Sequence, residues 1–464
     1  MTYDIYEGDL MGWAREYSGE PFHALLCDAP YELAFMGKSW DNTGISFDKA
    51  TWAALAQHLY PGAFGFVFAG TRTYHRIACA IEDAGLIIHP MIVWAFGTGF
   101  PKATRIDAQA DRMAGVEPLV VGERQHAPKF NAKAQGYREK DNGFNSRERT
   151  TFTETSPGSA MGQRWQGYRY GLQALKPALE PIIVFQRPYQ GRAVDCITQT
   201  GAGALNIDGG RVGTGSTITS HRASSSYLSR SIGQVQPLGN EYTTGSYNGR
   251  WPSNLILLHT AACNGVCHPD CPVERMGAQS GESSSKATGY NWEGSVSNNP
   301  THITANIKSG AHFDDTGTAA RFFQQSNWML DRLDAADPVR YVAKPSVAER
   351  EAGLEGWPST TVDDGRPTPI DNAYQRGETE RRNTHPTVKP IDLARYLATL
   401  LLPPPEYGPR RLLVPFAGSG TEMIGAGLAG WEYCQGIELE APHVTIAEAR
   451  LAWWIDVFGK AATV

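Results

Sequence analysis

The chain has 464 residues, of which 41% are hydrophobic and 19% charged, a composition typical of two or three globular domains or of one large domain with insertions. Its formal net charge of −6 argues against a protein that binds polyanions over its whole surface, but a local basic groove remains compatible with it. No apolar run approaches the roughly 20 residues that cross a bilayer, and MTYDIYEGDL lacks the features of a signal peptide, so we expect a cytoplasmic protein without a membrane partner. Seven cysteines, an odd number, do not indicate a disulfide framework.

Strands and helices alternate through the first 100 residues. Apolar runs predict buried strands at HALLCDAP, AFGFVFAG and LIIHPMIVWAF. Between them, ISFDKATWAALAQHLY and TYHRIACAIEDAG have the spacing of amphipathic helices. This alternation predicts an α/β fold with a parallel sheet and crossover helices.

The middle of the chain has little apolar periodicity. Between Pro101 and Thr150 it is polar and carries ten Lys and Arg against seven Asp and Glu. One more strand is predicted from Pro181 to Gln186. From about 191 to 380 the sequence is rich in Ser, Gly and Asn around one strand, WPSNLILLH, which predicts a separate loop-rich module.

Regular structure returns near the C-terminus. IDLARYLATLLLPP predicts a helix ended by prolines, and RLLVPFAGSG predicts a strand that runs into a glycine turn. A helix at TEMIGAGLAGW, a strand at YCQGIELE and a helix at APHVTIAEARLAWWI follow.

The glycine turn is the first segment that indicates chemistry. Glycines between a buried strand and a helix let backbone N–H groups approach a ligand closely. Glu438 ends the next strand, twenty residues after Gly418, where a carboxylate can accept hydrogen bonds from ribose hydroxyls. The full dinucleotide fingerprint is missing, which disfavours a nicotinamide-dependent oxidoreductase. Taken alone, the segment is also compatible with a tight strand–helix connection.

Two further segments stand out at the opposite ends of the chain. Asp28-Ala29-Pro30-Tyr31 follows a predicted strand and by itself is equally compatible with a β-turn. The stretch THPTVKP, from Thr384 to Pro390, precedes the predicted C-terminal helix.

Together these segments resemble the DNA amino-methyltransferases, which use S-adenosylmethionine to methylate N6 of adenine or N4 of cytosine. That family has the catalytic motif Asp/Asn/Ser-Pro-Pro-Tyr/Phe/Trp and the cofactor motif Asp-Pro-Phe-x-Gly-x-Gly-Thr, the latter preceded by His-Pro-Thr-x-Lys-Pro. Here the catalytic motif comes first, which is the circularly permuted order of the β group, and Gly8-Asp9 matches the family's Gly-Asp element. The resemblance covers roughly residues 1–100 and 385–464, with the bridging segments FGTGFPKA and LKPALEPIIV.

The resemblance implies a circularly permuted, Rossmann-like methyltransferase sheet with an inserted target recognition domain. Residues 1–190 and 381–464 would form the N- and C-terminal parts of the methyltransferase domain, and 191–380 the recognition region. The implied cofactor is S-adenosylmethionine, and the implied partner is double-stranded DNA. A homodimer is plausible. Restriction–modification or host–phage biology would fit such an enzyme.

The resemblance also implies a role for each motif residue. Asp28 and the Ala29 carbonyl would accept the two N–H groups of the target amine, Pro30 completes the motif, and Tyr31 would stack on a base flipped out of the duplex. An Asp at the first position is commoner in adenine-N6 members, so adenine is favoured and cytosine-N4 is the alternative. The cofactor residues implied are Asp9, Lys389, Pro415, Phe416, Gly418, Ser419, Gly420, Thr421 and Glu438.

Two positions depart from the family pattern. Ala29 stands where proline is usual, which keeps the carbonyl but loses backbone rigidity. Val414 stands where the family has the acid that helps to hold the methionine part of the cofactor. A catalytically weak DNA-binding relative is therefore a further alternative, and another acid such as Asp28 could compensate.

Cysteines concentrate in one segment of the middle region. His259, Cys263, Cys267 and Cys271 recur at intervals of four and offer the nitrogen and sulfur ligands of a structural Zn²⁺ site. His268 competes with His259 as the fourth ligand. Reduced thiols that bind no metal, or a surface disulfide, are the alternatives.

Basic residues in the irregular regions are candidate phosphate contacts with DNA. The same residue types also occur as ordinary solvated surface charges. The candidates are Lys102, Arg105, Lys129, Lys133, Arg138, Lys140, Arg211, Arg222, Arg230 and Arg250.

Overall fold

A computed structural model describes residues 1–33, 41–96, 102–125, 151–222, 241–258, 267, 271–285, 315–326, 347–362 and 379–461. The chain divides into two compact units. One comprises Met1–Thr98 together with Ala178–Val464, and the other comprises Gly99–Pro177. The division expected at residues 190 and 380 stays a prediction.

The strands of the described residues follow in chain order. They are β1 Thr2–Glu7, β2 Phe22–Cys27, β3 Leu59–Phe68, β4 Ile87–Ala95, β5 Lys102–Arg105, β6 Leu119–Gln125, β7 Thr151–Ser156, β8 Arg169–Gln173, β9 Leu179–Gln186, β10 Val212–Arg222, β11 Glu241–Arg250, β12 Leu255–Leu258, β13 Ser283–Ser285, β14 Asp315–Gly317, β15 Gln324–Ser326, β16 Thr360–Val362, β17 Thr379–Arg381, β18 Arg411–Pro415 and β19 Tyr433–Glu438.

The α-helices of the described residues also follow in chain order. They are α1 Leu10–Glu16, α2 Lys49–Gln57, α3 Tyr74–Asp83, α4 Ile106–Ala114, α5 Ala160–Arg164, α6 Ala193–Thr200, α7 Pro272–Ser280, α8 Val347–Glu351, α9 Ile391–Leu401, α10 Thr421–Ala429 and α11 Ala441–Ala461. In the part of the chain that the structure describes, no helix is long and apolar enough to span a bilayer.

Nine of the described strands form one sheet in the order β1-β19-β18-β2-β3-β9-β4-β12-β15. The first five are parallel to one another. β9 runs antiparallel to both β3 and β4, so the sheet is mixed and the expectation of a parallel sheet was wrong at this strand. The connection differs here: β4 and β9 are antiparallel neighbours joined through the separate unit Gly99–Pro177 and not through a single crossover helix. The α/β class itself is confirmed.

The middle of the sheet is covered on both faces, which explains the uninterrupted apolar sequence of β2. Leu25 and Cys27 of β2 pack on one face among residues of α1, α2 and α3. Ala24 and Leu26 pack on the other face among residues of α9, α10 and α11. All six residues of β2 are buried, because a strand with a helical layer on each side has no solvent face.

The chain leaves the middle of the sheet in two directions. From β18 it passes through α10 to β19, and from β2 it passes through α2 to β3. The boundary between β18 and β2 is therefore a topological switch point, and ligands of open α/β sheets bind outside the carboxyl ends of strands at such a boundary.

The predicted loop-rich region contributes to the same sheet. Its described strands β12 and β15 extend the sheet beyond β4, with Ile256 opposite both Trp94 and Gln324. The ribbon β10–β11 and two short strand pairs, β13–β14 and β16–β17, complete the regular structure described there.

The unit Gly99–Pro177 has two antiparallel ribbons, β5–β8 and β6–β7. Polar contacts dominate its interior. The buried Asp107 carboxylate pairs with Arg105 in a bidentate contact, and the buried Asp111 accepts hydrogen bonds from Gly158 and Ser159. Ribbons with few buried apolar residues give no alternating pattern, which explains why the sequence indicated only a polar loop here.

Close packing of α10 on α9 depends on one glycine. A Cβ at Gly425 would lie 2.7 Å from backbone atoms of Ala394 and Arg395, so the two helices could not keep their separation. We expect Gly425→Ala to lower the free energy of unfolding by about 1–3 kcal/mol, although alanine is the better helix former.

Gly427→Ala on the same helix is the matched control. Its Cβ would meet only the tip of the Met1 side chain. The higher helix propensity of alanine should therefore raise the free energy of unfolding by up to about 1 kcal/mol. Denaturant unfolding of both variants measures the difference. Equal effects of the two substitutions would contradict the packing argument.

Candidate active site at the switch point of the sheet

Four sequence motifs follow four neighbouring parallel strands. Gly8-Asp9 follows β1, Glu438 ends β19, the glycine turn follows β18, and Asp28-Ala29-Pro30-Tyr31 follows β2. Adjacent strands lie about 4.8 Å apart, and pairings such as Glu7 with Glu438 and Leu413 with Leu25 align their ends. Segments from the two ends of the chain are thus brought to one edge of the sheet.

The glycine turn bends sharply between β18 and α10. Phe416, Gly418 and Gly420 all have left-handed backbone angles, with φ of 58°, 52° and 77°. The turn is fixed to the neighbouring strand by a hydrogen bond from the Ala417 N–H to the Ile437 carbonyl. Thr421 then begins α10, so the first backbone N–H groups of a nine-residue helix lie directly after the turn.

Glu438 is held as a carboxylate beside this turn. Its two oxygens accept hydrogen bonds from the Gly418 N–H at 2.8 Å and the Glu440 N–H at 3.0 Å, and His443 lies 3.6 Å away. Burial alone would raise the pKa of Glu438, but these hydrogen bonds and the nearby histidines lower it. An ionised acid therefore stands next to the glycine turn.

The predicted THPTVKP stretch lies against the same turn. A Cβ at Gly418 would come within 2.7 Å of the His385 Nε2 atom, so the imidazole lies directly on the glycine backbone. Burial, followed by the positive field of His443 when protonated, lowers the pKa of His385 to about 3. The ring is neutral at physiological pH and forms an uncharged wall of the site.

Asp28 forms a buried ion pair with Lys389. Their Oδ2 and Nζ atoms are 2.6 Å apart, and the side chains are 13% and 7% exposed. Burial by itself would lower the pKa of Lys389, but Asp28 and Glu180 raise it, so the ammonium stays charged. Sequence reasoning grouped Lys389 with the cofactor residues, whereas the structure pairs it with the carboxylate of the catalytic motif.

Tyr31 is fixed at both ends. Its hydroxyl donates to the Glu180 carboxylate at 2.9 Å, and its carbonyl accepts from the Thr73 hydroxyl at 2.7 Å. The Lys389 ammonium lies 5.1 Å from the centre of the Tyr31 ring and 3.9 Å from a Glu180 oxygen. Burial, then the negative charges of Glu180 and Asp28, raise the pKa of Tyr31 far above its ordinary value, so the hydroxyl keeps its proton.

The other motif residues lie along the same edge. The Ala29 side chain is buried in the apolar layer with Cys27 and Ala69, which leaves its backbone to form the rim after β2. Asp9 caps α1 by accepting a hydrogen bond from the Gly12 N–H at 2.8 Å. Val414 lies fully buried in the opposite apolar layer and brings no charge to the end of β18.

Two acids near Asp28 were not identified from the sequence. Glu180 reaches the site because β9 is antiparallel, which brings the start of that strand to the carboxyl ends of the others. Glu422 is the second residue of α10 and faces Asp28 and Lys389. The available signals were an acid inside the apolar LKPALEPIIV run and an acid directly after the glycine turn.

The predicted zinc site has no support in the residues that the structure describes, where no group of three or more His, Cys, Asp or Glu is placed to hold a metal. His259, Cys263 and His268 lie outside the described residues. Cys271 is buried in a small apolar cluster with Leu257, and Cys267 packs against that cluster.

The candidate phosphate contacts have mixed outcomes. Arg105 is paired with Asp107 and Arg211 with Asp208, at 2.9 Å and 2.8 Å. Arg250, at the end of β11, is only 8% exposed and lies over the Phe322 ring. Nothing is described of the side chains of Lys102 and Arg222. Outside the described residues lie Lys129, Lys133, Arg138, Lys140 and Arg230.

Comparison with known proteins gives only distant structural likenesses. No family model matches the chain, and no curated protein matches it in sequence. A crystal structure of the complex of M1.HpyAVI with SAM is 11% identical at a TM-score of 0.34, with 97% of this chain and 99% of the other covered. The PvuII DNA methyltransferase, which is cytosine-N4-specific, is 9% identical at a TM-score of 0.38, with 99% and 92% covered. Similarities of this size assign no function, so function is argued from the site.

Gly418 should be among the least replaceable residues of the turn. Gly418→Ala would combine a left-handed backbone, which costs an L-residue about 1–2 kcal/mol, with a clash against His385. Gly85→Ala is the control, because Gly85 has a φ of 85° but open space around its Cβ position.

Chemical denaturation of both variants separates strain from clash. We expect Gly418→Ala to lose clearly more free energy of unfolding than Gly85→Ala. Equal losses would mean that His385 does not pack on the turn as described.

Proposed function

We propose that this protein is an S-adenosylmethionine-dependent DNA methyltransferase that methylates N6 of an adenine flipped out of the duplex. One observation carries the proposal. Four motifs from opposite ends of the sequence meet at the carboxyl ends of the consecutive strands β1, β19, β18 and β2. Such an edge at a switch point is where α/β sheets bind nucleotide-like ligands.

The residues present fit the proposed methyl donor. Glu438 offers an ionised carboxylate for the ribose hydroxyls, and Asp9, one strand further along, is the acid for the adenine. Gly418 and Gly420 allow close approach of the donor to the backbone at the start of α10. When bound, the donor supplies an electrophilic methyl group on a positively charged sulfur.

Asp28 and Ala29 are proposed to activate the target amine. An exocyclic amine is a poor nucleophile because its lone pair is delocalised into the ring. The Asp28 carboxylate and the Ala29 carbonyl would accept its two N–H groups and localise that lone pair, so catalysis is mainly positioning and electrostatics. The Lys389 ammonium lies 2.6 Å from the Asp28 carboxylate and holds it in position at the end of β2.

Tyr31 is proposed as the stacking surface for the flipped base. Its hydroxyl donates to the Glu180 carboxylate and its backbone carbonyl accepts from the Thr73 hydroxyl, so the ring is already oriented before DNA arrives. An Asp at the first motif position favours adenine over cytosine through the family resemblance. Within this proposal, residues 191–380 would recognise the DNA target.

Mass spectrometry of methylated DNA tests the activity and the base together. Purified protein is incubated with unmethylated genomic DNA and the methyl donor, and the DNA is then digested to nucleosides. We expect N6-methyladenine. If N4-methylcytosine is found instead, the protein is a cytosine-N4 methyltransferase. The absence of both methylated bases would contradict methyltransferase activity.

Asp28→Ala should remove nearly all methyl transfer. Loss of the amine acceptor should reduce turnover by about 10²–10⁴-fold, the usual contribution of a positioned proton acceptor. Binding of DNA and of the donor should be largely retained.

Asp83→Ala, at the exposed end of α3, is the control and should keep wild-type turnover. Thermal unfolding verifies that both variants are folded. Wild-type turnover in folded Asp28→Ala would refute the role assigned to this carboxylate.

Tyr31→Ala should weaken capture of the flipped base while Tyr31→Phe retains it. Stacking of an aromatic ring on a base contributes about 1–3 kcal/mol, so the alanine variant should raise the Kd for DNA by about tenfold. DNA that carries a mismatch at the target base gives the clearest signal, because the base is already unpaired. Equal losses in both variants would assign the effect to the hydroxyl contact with Glu180 instead of the ring.

A further inference from the structure

Glu422 is a buried acid that none of the motif roles uses. It lies in the first turn of α10, two residues after Gly420, and is 4% exposed. Its Oε1 atom is buried and accepts no hydrogen bond from the part of the chain that the structure describes. Burying a carboxylate oxygen without a hydrogen-bond partner is energetically costly. Such an atom therefore indicates that a bound ligand provides the partner.

The surroundings of Glu422 carry excess negative charge. Asp28, Glu180 and Glu422 are three carboxylates around the single ammonium of Lys389. The Arg450 guanidinium also faces Glu422, but it donates its hydrogen bonds to Ser419 and Thr421 of the turn. The charged and titratable groups recorded as facing Glu422 are Asp28, Lys389, Arg450, Cys27 and Cys434.

This imbalance perturbs the acid. Burial, followed by the negative charge of Asp28, raises the pKa of Glu422 to about 7. The protein therefore holds Glu422 between its neutral and ionised forms near physiological pH. A cation bound beside it would favour the ionised form.

The end of β18 lacks the acid that the family resemblance expects. Val414 is apolar and fully buried, so the strand provides no charge to a ligand at the turn. Glu422 brings a carboxylate to the same turn from the helix side. The negative charge that Val414 lacks is thus provided by Glu422 in α10, the helix that follows β18.

We propose that Glu422 is the counter-charge for the positively charged sulfur of the methyl donor, an inference that rests on the proposed methyltransferase function. The choice of the sulfur follows from position. The atom that carries the transferable methyl group has to lie next to the target amine, and Glu422 faces Asp28, the acceptor of that amine. The donor's amino group is the other candidate cation, and the test below separates the two.

The pH dependence has a definite sign. The pKa of Glu422 is raised in the folded protein. Ionisation of this group therefore destabilises the fold increasingly as the pH rises from the ordinary pKa of a glutamate to about 7. A bound cation reverses this penalty, so binding releases a proton and affinity rises with pH. If only the ionised form binds, affinity should increase about tenfold from pH 6 to pH 8.

Calorimetric titration with S-adenosylmethionine and with S-adenosylhomocysteine is the test, because the two compounds differ by the methyl group and the positive charge on sulfur. We expect Glu422→Gln at pH 8 to raise the Kd for S-adenosylmethionine by about tenfold or more. The Kd for S-adenosylhomocysteine should rise by less than about twofold. The variant should also lose the rise in affinity between pH 6 and pH 8.

Asp111→Asn is the matched control. Asp111 is also a buried acid, but it lies in the unit Gly99–Pro177, where its carboxylate accepts hydrogen bonds from Gly158 and Ser159. It should leave the ratio of the two affinities unchanged.

The outcomes are separable. If Glu422→Gln weakens binding of both compounds equally, Glu422 pairs with the amino group that they share, and the proposal is overturned. Unchanged affinities for both compounds would overturn it as well. Failure of the wild-type protein to bind either compound, with or without DNA, would instead contradict the methyltransferase function itself.

A second measurement applies if Glu422→Gln does not fold. Proton release by the wild-type protein near pH 7, obtained from titrations in two buffers of different ionisation enthalpy, should be larger for S-adenosylmethionine than for S-adenosylhomocysteine. Equal proton release would overturn the proposal.

Discussion

The buried ion pair between Asp28 and Lys389 joins two residues that are 361 positions apart in the chain. Taking two charges out of water is expensive, and their attraction recovers that cost only with good geometry and further polar partners. Glu180 and the Tyr31 ring provide such partners for the ammonium. Together these contacts fix the Asp28 carboxylate at the edge of the sheet.

The sheet makes this arrangement possible. β2 and β18 are neighbours, and the helical layers on both faces leave only the strand ends open to a ligand. The chain continues from β18 and from β2 in opposite directions along the sheet. Loops from the start and the end of the chain therefore meet at this boundary without crossing. Close packing of α10 on α9 through Gly425 then sets the positions of Glu422 and Lys389, since each lies at the start of, or just before, one of these helices.

Much of this architecture could be predicted from the sequence. β2, β3 and β18 are apolar runs because they are covered on both faces, and the helices that follow them have the expected spacing. The motifs themselves could also be found, because each directly follows a recognisable strand. β1 was not predicted, since its partly exposed residues become a strand only by pairing with β19, whose partner residues lie 431 positions away.

Features that depend on tertiary proximity could not be predicted. The antiparallel direction of β9 decides that Glu180 reaches Tyr31, and no local pattern encodes that direction. The burial of Glu422 and the pairing of Lys389 with Asp28 likewise follow from how α9 and α10 pack. These groups determine the electrostatics of the site, and the sequence alone indicated only that acids and a lysine were present.

Hydrogen exchange with and without S-adenosylmethionine tests most directly whether the two ends of the chain form one donor site. Amide protection reports local opening, and a ligand that contacts a segment slows its exchange. The account predicts that the donor protects backbone amides in both chain ends at once, around 8–12 and 28–31 as well as 416–424 and 438–440. Protection confined to residues between 191 and 380, or no protection at saturating donor, would contradict it.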